Sequence, residues 1–149
     1  MQEHIQNELA SFIANCDWEK IAPHFKEDAA YRVLDWIGCA VAGEHYPQVE
    51  IAQKYFIENG DQGNSTVIGH QTKCSPRTAA FLNGIAGHVC ELDDGHRTAI
   101  GHPGSIAVPT ALALGEHLNA SGADVLKAVI LGYEVFSRLG RTVNPSHYR

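Results

Sequence analysis

Residues 75–88 read SPRTAAFLNGIAGH, and this segment decides the fold that we predict for the chain. Ser75 and Pro76 are typical of a helix start. The serine oxygen can accept a hydrogen bond from an early helix N–H, and proline at the first helical position lacks only an N–H that has no partner there. The residues that follow are mostly small or apolar, and small residues allow backbones to approach closely. We therefore predict a helix that is buried among neighbouring helices.

Helical periodicity of the apolar residues recurs on the N-terminal side of this segment. It predicts helices near residues 5–13, 26–42 and 47–59, with a short turn at Trp18. In the second of these helices we expect the inward-facing residues to be Ala30, Val33, Leu34, Ile37 and Val41. We expect Gly43 to end it, because glycine readily takes the left-handed conformation found at helix ends.

Two more helices are predicted on the C-terminal side. One begins near Ser105, because Pro109 is tolerated only in a first turn. The other follows Ser121, which with Asp124 resembles a capping box, and it fades by Gly140. Only residues 65–68 read as a possible strand. The predicted fold is therefore an all-α bundle of several packed helices in one domain, with at most one short strand.

Length and composition exclude several classes of protein. The chain has 149 residues, which suits one domain, and a formal net charge of -6 without a lysine or arginine cluster. Such a chain is a poor partner for nucleic acids and for anionic membrane surfaces. It shows no secretory signal pattern and no apolar stretch of membrane-spanning length. The cysteines are dispersed, as in reduced cytosolic proteins, and we predict a cytoplasmic protein.

Periodicity stops between residues 90 and 104, where ionisable residues concentrate. Residues 91–102 contain three carboxylates, two histidines and an arginine. A loop held by two buried helices can place catalytic groups rigidly, and histidine beside carboxylates can act as an acid or a base near neutral pH. This composition is compatible with an active-site loop, but Asp93-Asp94-Gly95 is also an ordinary polar turn sequence, and composition alone favours the structural interpretation, since charge clusters also occur for structural reasons.

Other kinds of site remain open on the residues alone. The chemically possible metal ligands are His88, Asp93, His96 and His102. However, the chain has no H-E-x-x-H motif and no Cys/His pair at zinc-finger spacing, so we predict no metal. Cys90, next to His88, is more typical of a buried thiol at a helix end than of a nucleophile. His147 is a further histidine that we retain as a candidate.

The predicted helix at residues 75–88 and the loop after it together resemble the 2-methylcitrate dehydratase (MmgE/PrpD) family, which also contains cis-aconitate decarboxylases and iminodisuccinate epimerases. The matching segments are residues 79–88 with their Asn-Gly pair, the acidic run 91–96, His102-Pro103-Gly104, and residues 121–124 and 132–135. The resemblance implies the helical N-terminal domain of an enzyme that needs no cofactor. Its substrate would be a small di- or tricarboxylate. The shared chemistry removes a proton next to a carboxylate and then expels water or carbon dioxide.

The resemblance also implies roles for the loop residues. His102 is the expected general acid/base, and Asp93 is a carboxylate that orients it or relays protons. The expected substrate-binding residues are Glu91, Asp94, Gly95, His96 and Arg97. Arg97 would pair with a substrate carboxylate. Several family members carry threonine in place of Gly95 and many carry aspartate in place of Glu91, so this site lacks one hydrogen bond and has a shifted carboxylate.

Family enzymes are much longer than this chain and carry a second, α+β domain that closes over the site. That lid domain and the family's further catalytic histidine, lysine and tyrosine would follow Arg149. We therefore expect residues 1–149 to be a partial N-terminal helical domain, a fragment of a homodimeric lyase of the 2-methylcitrate dehydratase type. An epimerase or decarboxylase of the same family is the close alternative. A non-catalytic helical remnant or subunit and a metal-dependent hydrolase are alternatives from other classes.

Overall fold

The computed structural model describes residues 2–71 and 73–146, and within them it contains six α-helices and one small sheet. The elements in chain order are α1 (Gln2–Ala14), α2 (Pro23–Gly43), α3 (Pro47–Glu58), β1 (Ser65–Thr66), β2 (Lys73–Cys74), α4 (Pro76–His88), α5 (Gly104–Leu118) and α6 (Gly122–Val143). A single 3-10 turn, Trp18–Lys20, precedes α2. The predicted all-α class and the order of the helices are confirmed.

Helix α4 lies at the centre, in contact with α2, α3, α5 and both strands. Its N-terminus is the predicted one, because the Ser75 hydroxyl accepts a hydrogen bond from the N–H of Thr78. Ala79, Leu82 and Ala86 of α4 are almost completely buried. The burial predicted from the small residues of this segment is therefore confirmed.

The contact between α2 and α4 depends on two glycines. A Cβ atom on Gly43 would overlap the carbonyl oxygen of Ala86, and one on Gly87 would overlap the side chain of Trp36. Gly43 is the last helical residue of α2, and its φ angle is not positive. The expected left-handed helix end was wrong, because what the position requires is the absence of a side chain.

The inward face of α2 also differs from the prediction. Its buried residues are Ala29, Trp36, Cys39, Ala40 and Gly43. Val33 and Ile37 pack partly against the core, but Ala30, Leu34 and Val41 are exposed, with Leu34 at 66% and Val41 at 51%. The apolar residues of α2 extend around more than one face, and the face of small residues beside Trp36 is the one that fits against α4.

The sheet contains one strand more than expected. Strand β1 begins at the predicted run and pairs antiparallel with β2, with Ser65 opposite Cys74 and Thr66 opposite Lys73. Strand β2 has no periodic signal in the sequence, because two residues are too few to show alternation. The Ser65 hydroxyl donates a hydrogen bond of 2.7 Å to the carbonyl of Ala113, which joins the sheet to α5.

Helices α4 and α5 pack against each other and hold the intervening loop, residues 89–103, at both ends. Pro109 lies inside α5, beyond the predicted first turn. Proline has no N–H to bond the carbonyl of Ser105, and Gly84 of α4 packs opposite that oxygen, since a Cβ on Gly84 would lie 3.2 Å from it. Among the described helices, none combines the length and the apolar character that crossing a membrane would require.

Candidate active-site loop

The loop after α4 reverses direction, so that its last residues lie close to its first ones. Its first turn is closed by a hydrogen bond of 2.8 Å from the N–H of Glu91 to the carbonyl of His88. His96 and Gly101 then form an isolated β-bridge, in which the N–H of His96 donates to the carbonyl of Gly101 at 2.8 Å. Glu91 and Ile100 have positive φ angles of 50° and 49°, which are uncommon outside glycine. This path brings His102 next to His88.

Asp93 is the centre of the cluster that results. Its side chain is only 1% exposed. The Ser105 hydroxyl donates a hydrogen bond of 2.6 Å to Oδ2, and Nδ1 of His88 lies 3.0 Å from Oδ1 and 3.2 Å from Oδ2. Nδ1 of His102 lies 3.3 Å from Oδ2. A buried carboxylate is stable only when such partners replace water, so three side chains are fixed around one charge.

The two histidines differ in how they contact Asp93. His88 has the geometry of a hydrogen bond to both oxygens, whereas Nδ1 of His102 is buried and, within the described part of the chain, has no hydrogen bond. The distance from His102 to Asp93 fits an ion pair, but the direction of the ring N–H does not fit a hydrogen bond. The ring centroids are 4.6 Å apart, and the rings are tilted by 58°. His102 is therefore the less constrained imidazole.

Both imidazoles line a cavity of about 720 Å³ between α4, α5 and the loop. Its other walls are mostly apolar and include Phe81, Ile85 and Phe136. The side chains of His88 and His102 are 44% and 38% exposed, so both can reach a molecule in this cavity. An imidazole on an apolar surface, supported by a buried carboxylate, has the arrangement needed for proton transfer to or from carbon.

Asp94 forms a second, separate network on the other side of the loop. Its Oδ1 accepts a hydrogen bond of 3.0 Å from the first N–H of α5, at Gly104, and its Oδ2 lies 3.1 Å from Nη1 of Arg32 in α2. Burial, and then the neighbouring Asp94 carboxylate, raise the pKa of the Tyr133 hydroxyl of α6 above its usual value, although Arg32 opposes the shift. Asp94 thus ties α2, α6 and the start of α5 together.

The remaining predicted site residues lie on the Asp94 side. Asp94, Gly95, His96 and Arg97 line a second cavity, of about 980 Å³, whose walls come from α2, α6 and the 3-10 turn. Nδ1 of His96 accepts a hydrogen bond of 3.0 Å from the N–H of Ala99. Glu91 is exposed and lines neither cavity. The structure brings His102 together with Asp93. None of the five predicted substrate-binding residues lines the cavity that His102 lines, and their roles stay predictions.

Some residues of these networks were not predicted as catalytic or substrate-binding residues. His88 was considered only as a possible metal ligand and Ser105 was not a candidate, although their nearness in sequence to Asp93 was a signal that could have identified both. Arg32 and Tyr133 gave no such signal, since Arg32 is 62 positions from Asp94 and Tyr133 reads as a core aromatic. His147 lies outside the described residues.

His88, Asp93 and His102 are also chemically suited to a metal ion. One ligand atom from each lies within 4.8 Å of the others, and two histidines with one carboxylate form a known catalytic zinc set. His96, the fourth possible ligand in the sequence, is not part of this group. The geometry therefore keeps a metal-dependent reaction as the competing hypothesis.

Comparison with known proteins gives a consistent family match. The chain matches the model of the MmgE/PrpD N-terminal domain over residues 7–149. It is 31% identical over 144 residues to the cis-aconitate decarboxylase-like protein oryM of Aspergillus oryzae, covering 92% of this chain and 30% of that protein. It is 32% identical over 144 residues to the cis-aconitate decarboxylase of Aspergillus terreus (93% and 29%), and 35% identical over 112 residues to that of Homo sapiens (72% and 23%). The chain thus spans less than a third of the length of these relatives.

Proposed function

Because the chain belongs to the MmgE/PrpD family, we propose that it forms the helical part of a lyase acting on a small di- or tricarboxylate. The relatives above are named as decarboxylases or as decarboxylase-like, which favours loss of carbon dioxide over loss of water. Dehydration of the 2-methylcitrate type and epimerisation are the alternatives, because they use the same proton transfer next to a carboxylate.

The observation that carries this proposal is the buried Asp93 carboxylate beside His102, at the wall of an apolar cavity. In a decarboxylation, the bond between the substrate carbon and the departing carboxylate breaks. Carbon dioxide leaves, and the electron pair stays on the carbon. His102 in its protonated form delivers a proton to that carbon and is then reprotonated from water, while Asp93 stabilises the charged imidazole. An apolar wall favours the step because a charged carboxylate becomes a neutral molecule.

Dehydration would use the same groups in the opposite sense. His102 in its neutral form removes the proton from the carbon next to a carboxylate, and the hydroxyl on the neighbouring carbon leaves as water after taking up a proton. Neither reaction, as written, requires a cofactor. Arg97, which is exposed and has no ion-pair partner among the described residues, is proposed to bind a substrate carboxylate. Glu91, Gly95 and His96 are proposed to complete the contacts with substrate, with Asp94 holding the loop that carries them. Because none of these residues lines the cavity at His102, this part of the proposal requires a substrate that extends beyond that cavity.

The test uses the protein at the length that its source cells make. We expect His102→Gln to lower kcat on cis-aconitate or 2-methylcitrate by about 10²- to 10⁴-fold, the usual contribution of a general acid/base, and to leave the helical content unchanged. NMR of the product distinguishes loss of carbon dioxide from loss of water. The matched control is His117→Gln. His117 lies near the other end of α5, where it contacts Asn64 at 3.0 Å, and its replacement should not change kcat.

Three outcomes would contradict parts of this proposal. Full activity of His102→Gln would overturn the role of that residue. A wild-type protein that turns over no di- or tricarboxylate would overturn the lyase assignment. Stoichiometric zinc or iron in protein purified without a chelator would instead favour the metal-dependent reaction at His88, Asp93 and His102.

A further inference from the structure

The last part of the active-site loop, residues 98–104, lies along one face of α6. Nδ2 of Asn144 donates a hydrogen bond of 3.0 Å to the carbonyl of Thr98. Ala99 is buried against Gly140, where a Cβ atom would lie 2.5 Å from the Ala99 Cβ and 2.7 Å from the Ala99 carbonyl oxygen. Nonbonded atoms do not approach that closely, so the loop backbone can lie here only because residue 140 has no side chain.

Two further contacts hold the chain on either side of His102 against the same helix. A Cβ atom on Gly101 would lie 2.7 Å from Cζ of Phe136, and its three nearest neighbours outside the adjoining residues would all be atoms of that ring. A Cβ atom on Gly104 would lie 2.9 Å from the Tyr133 hydroxyl oxygen. The backbone before and after His102 is therefore packed against two aromatic side chains about one helical turn apart.

The His102 side chain has weaker contacts of its own with the cluster. Its Nδ1 lies 3.3 Å from Oδ2 of Asp93 but, within the described part of the chain, forms no hydrogen bond. The Phe136 ring lines the same cavity as His102, so it is both a wall of that cavity and a support of the loop. The place of the imidazole relative to Asp93 and to the cavity therefore depends on where α6 holds the loop backbone.

We propose that His102 is positioned by one face of α6. This loop-support face consists of Tyr133, Phe136, Gly140 and Asn144. These four are three or four positions apart, the spacing at which residues share one side of a helix. They are positioning residues, because they act through the loop backbone, and displacing a catalytic group by about 1 Å can lower a rate by about 10²-fold. The catalytic meaning of this inference rests on the proposed function, but the position of the ring can be measured without turnover.

The first test replaces Gly140 with alanine in the protein at the length that its source cells make. The added methyl group would overlap the backbone of Ala99, so the loop must move away from α6. We expect kcat on cis-aconitate or 2-methylcitrate to fall by about 10- to 10²-fold, with a smaller change in KM, because the displaced imidazole acts in the transition state. The matched control is Gly122→Ala in the same helix. A Cβ atom there would meet nothing within 4 Å, and kcat should not change.

The position of the ring is measured by NMR of the imidazole carbons in ¹³C-histidine-labelled protein at a single pH. His102→Gln identifies the signal of His102 by removing it. In Gly140→Ala we expect that signal to shift by more than its line width or to split, because the loop no longer rests on α6. In Gly122→Ala we expect the signal to stay in place.

A second pair of variants separates positioning from a general loss of stability. In Gly101→Ala the new methyl group would meet the outer atoms of the Phe136 ring, which leucine lacks. We therefore expect Gly101→Ala to displace the His102 signal and to lower kcat, and we expect Phe136→Leu in the same chain to restore most of both, since the two residues are in contact. Shortening a buried side chain does not ordinarily repair a destabilised fold.

The outcomes separate this inference from the lyase assignment. A His102 signal that stays in place in Gly140→Ala, or one that Phe136→Leu does not restore in Gly101→Ala, overturns the role of the loop-support face. The pair at Gly101 and Phe136 decides alone if Gly140→Ala does not fold. A displaced and restored signal in a protein that turns over no carboxylate would retain the positioning and reject the proposed function.

Discussion

Asn83 occupies the middle of α4, where an asparagine would ordinarily weaken a helix. Its side chain is almost completely buried, and its amide forms hydrogen bonds of the kind that a neighbouring strand would form. Oδ1 accepts a hydrogen bond of 2.8 Å from the N–H of Ile68, and Nδ2 donates one of 2.9 Å to the carbonyl of Thr66. One side chain thus satisfies two partly buried backbone groups of the segment at β1, and it fixes that segment against the central helix.

Replacing Asn83 with alanine should therefore destabilise the fold substantially. Both backbone groups would lose their partner inside the protein, and we expect a loss of about 2 to 3 kcal/mol in the free energy of unfolding. Urea denaturation of the purified chain measures it. Asn7→Ala in α1 is the control, because Asn7 is exposed and should change stability little. Equal stability of the two variants would contradict the stabilising role of the Asn83 hydrogen bonds.

At this scale, the sequence could identify residues but not their partners. Asp93 and His102 were candidates because they lie in one short loop rich in ionisable residues, and their roles were predicted from the family resemblance. The Asn83-Gly84 pair was recognised only as a family motif, without any contact attached to it. Arg32 and Tyr133 lie in α2 and α6, far along the chain from the loop that carries Asp94, and nothing local in the sequence indicates that they meet it. Contacts between residues distant in sequence depend on how the helices pack.

At the scale of single elements, α2 offers a matched pair of glycines. Gly43 is buried, and a Cβ there would overlap the backbone of α4, whereas a Cβ on Gly38 would meet nothing within 4 Å. Gly38→Ala should stabilise the protein by about 0.5 to 1 kcal/mol, since alanine is the better helix former. Gly43→Ala should destabilise it, by about 1 to 3 kcal/mol, because α2 and α4 must move apart. Thermal unfolding of the two variants should shift in opposite directions, and a common direction would contradict this account of the α2–α4 contact.

The same helix shows how far periodicity carries a prediction. The positions of α2 and of the other helices follow from apolar spacing and from cap residues such as Ser75 and Ser121. The choice of face does not follow, because the apolar residues of α2 extend around more than one face, and only the shape of the neighbouring helix selects the face of small residues. Strand β2 was missed for the complementary reason, since two residues carry no periodic signal and the pairing with β1 is a tertiary contact.

At the scale of the whole molecule, the described helices leave large apolar side chains without cover. Leu34, Ile51, Ile106 and Leu118 are between 60% and 70% exposed. An apolar groove of about 680 Å³ also runs between α5 and α6. Apolar surface on this scale is typical of faces that contact another domain or subunit. It is compatible with the proposed second domain and with the proposed homodimer.

The size of the native protein decides whether these faces are covered by the same polypeptide. The chain spans 30% of the length of its Aspergillus oryzae relative, so we expect the intact mass of the protein from its source cells to be about three times the 16.2 kDa of this chain. Mass spectrometry of the purified native protein measures it. In that case the residues that complete the site would follow on the same chain. A mass of 16.2 kDa would contradict this expectation. Lyase activity that copurifies with a second polypeptide would then indicate a two-chain enzyme, and its absence would favour the non-catalytic alternative.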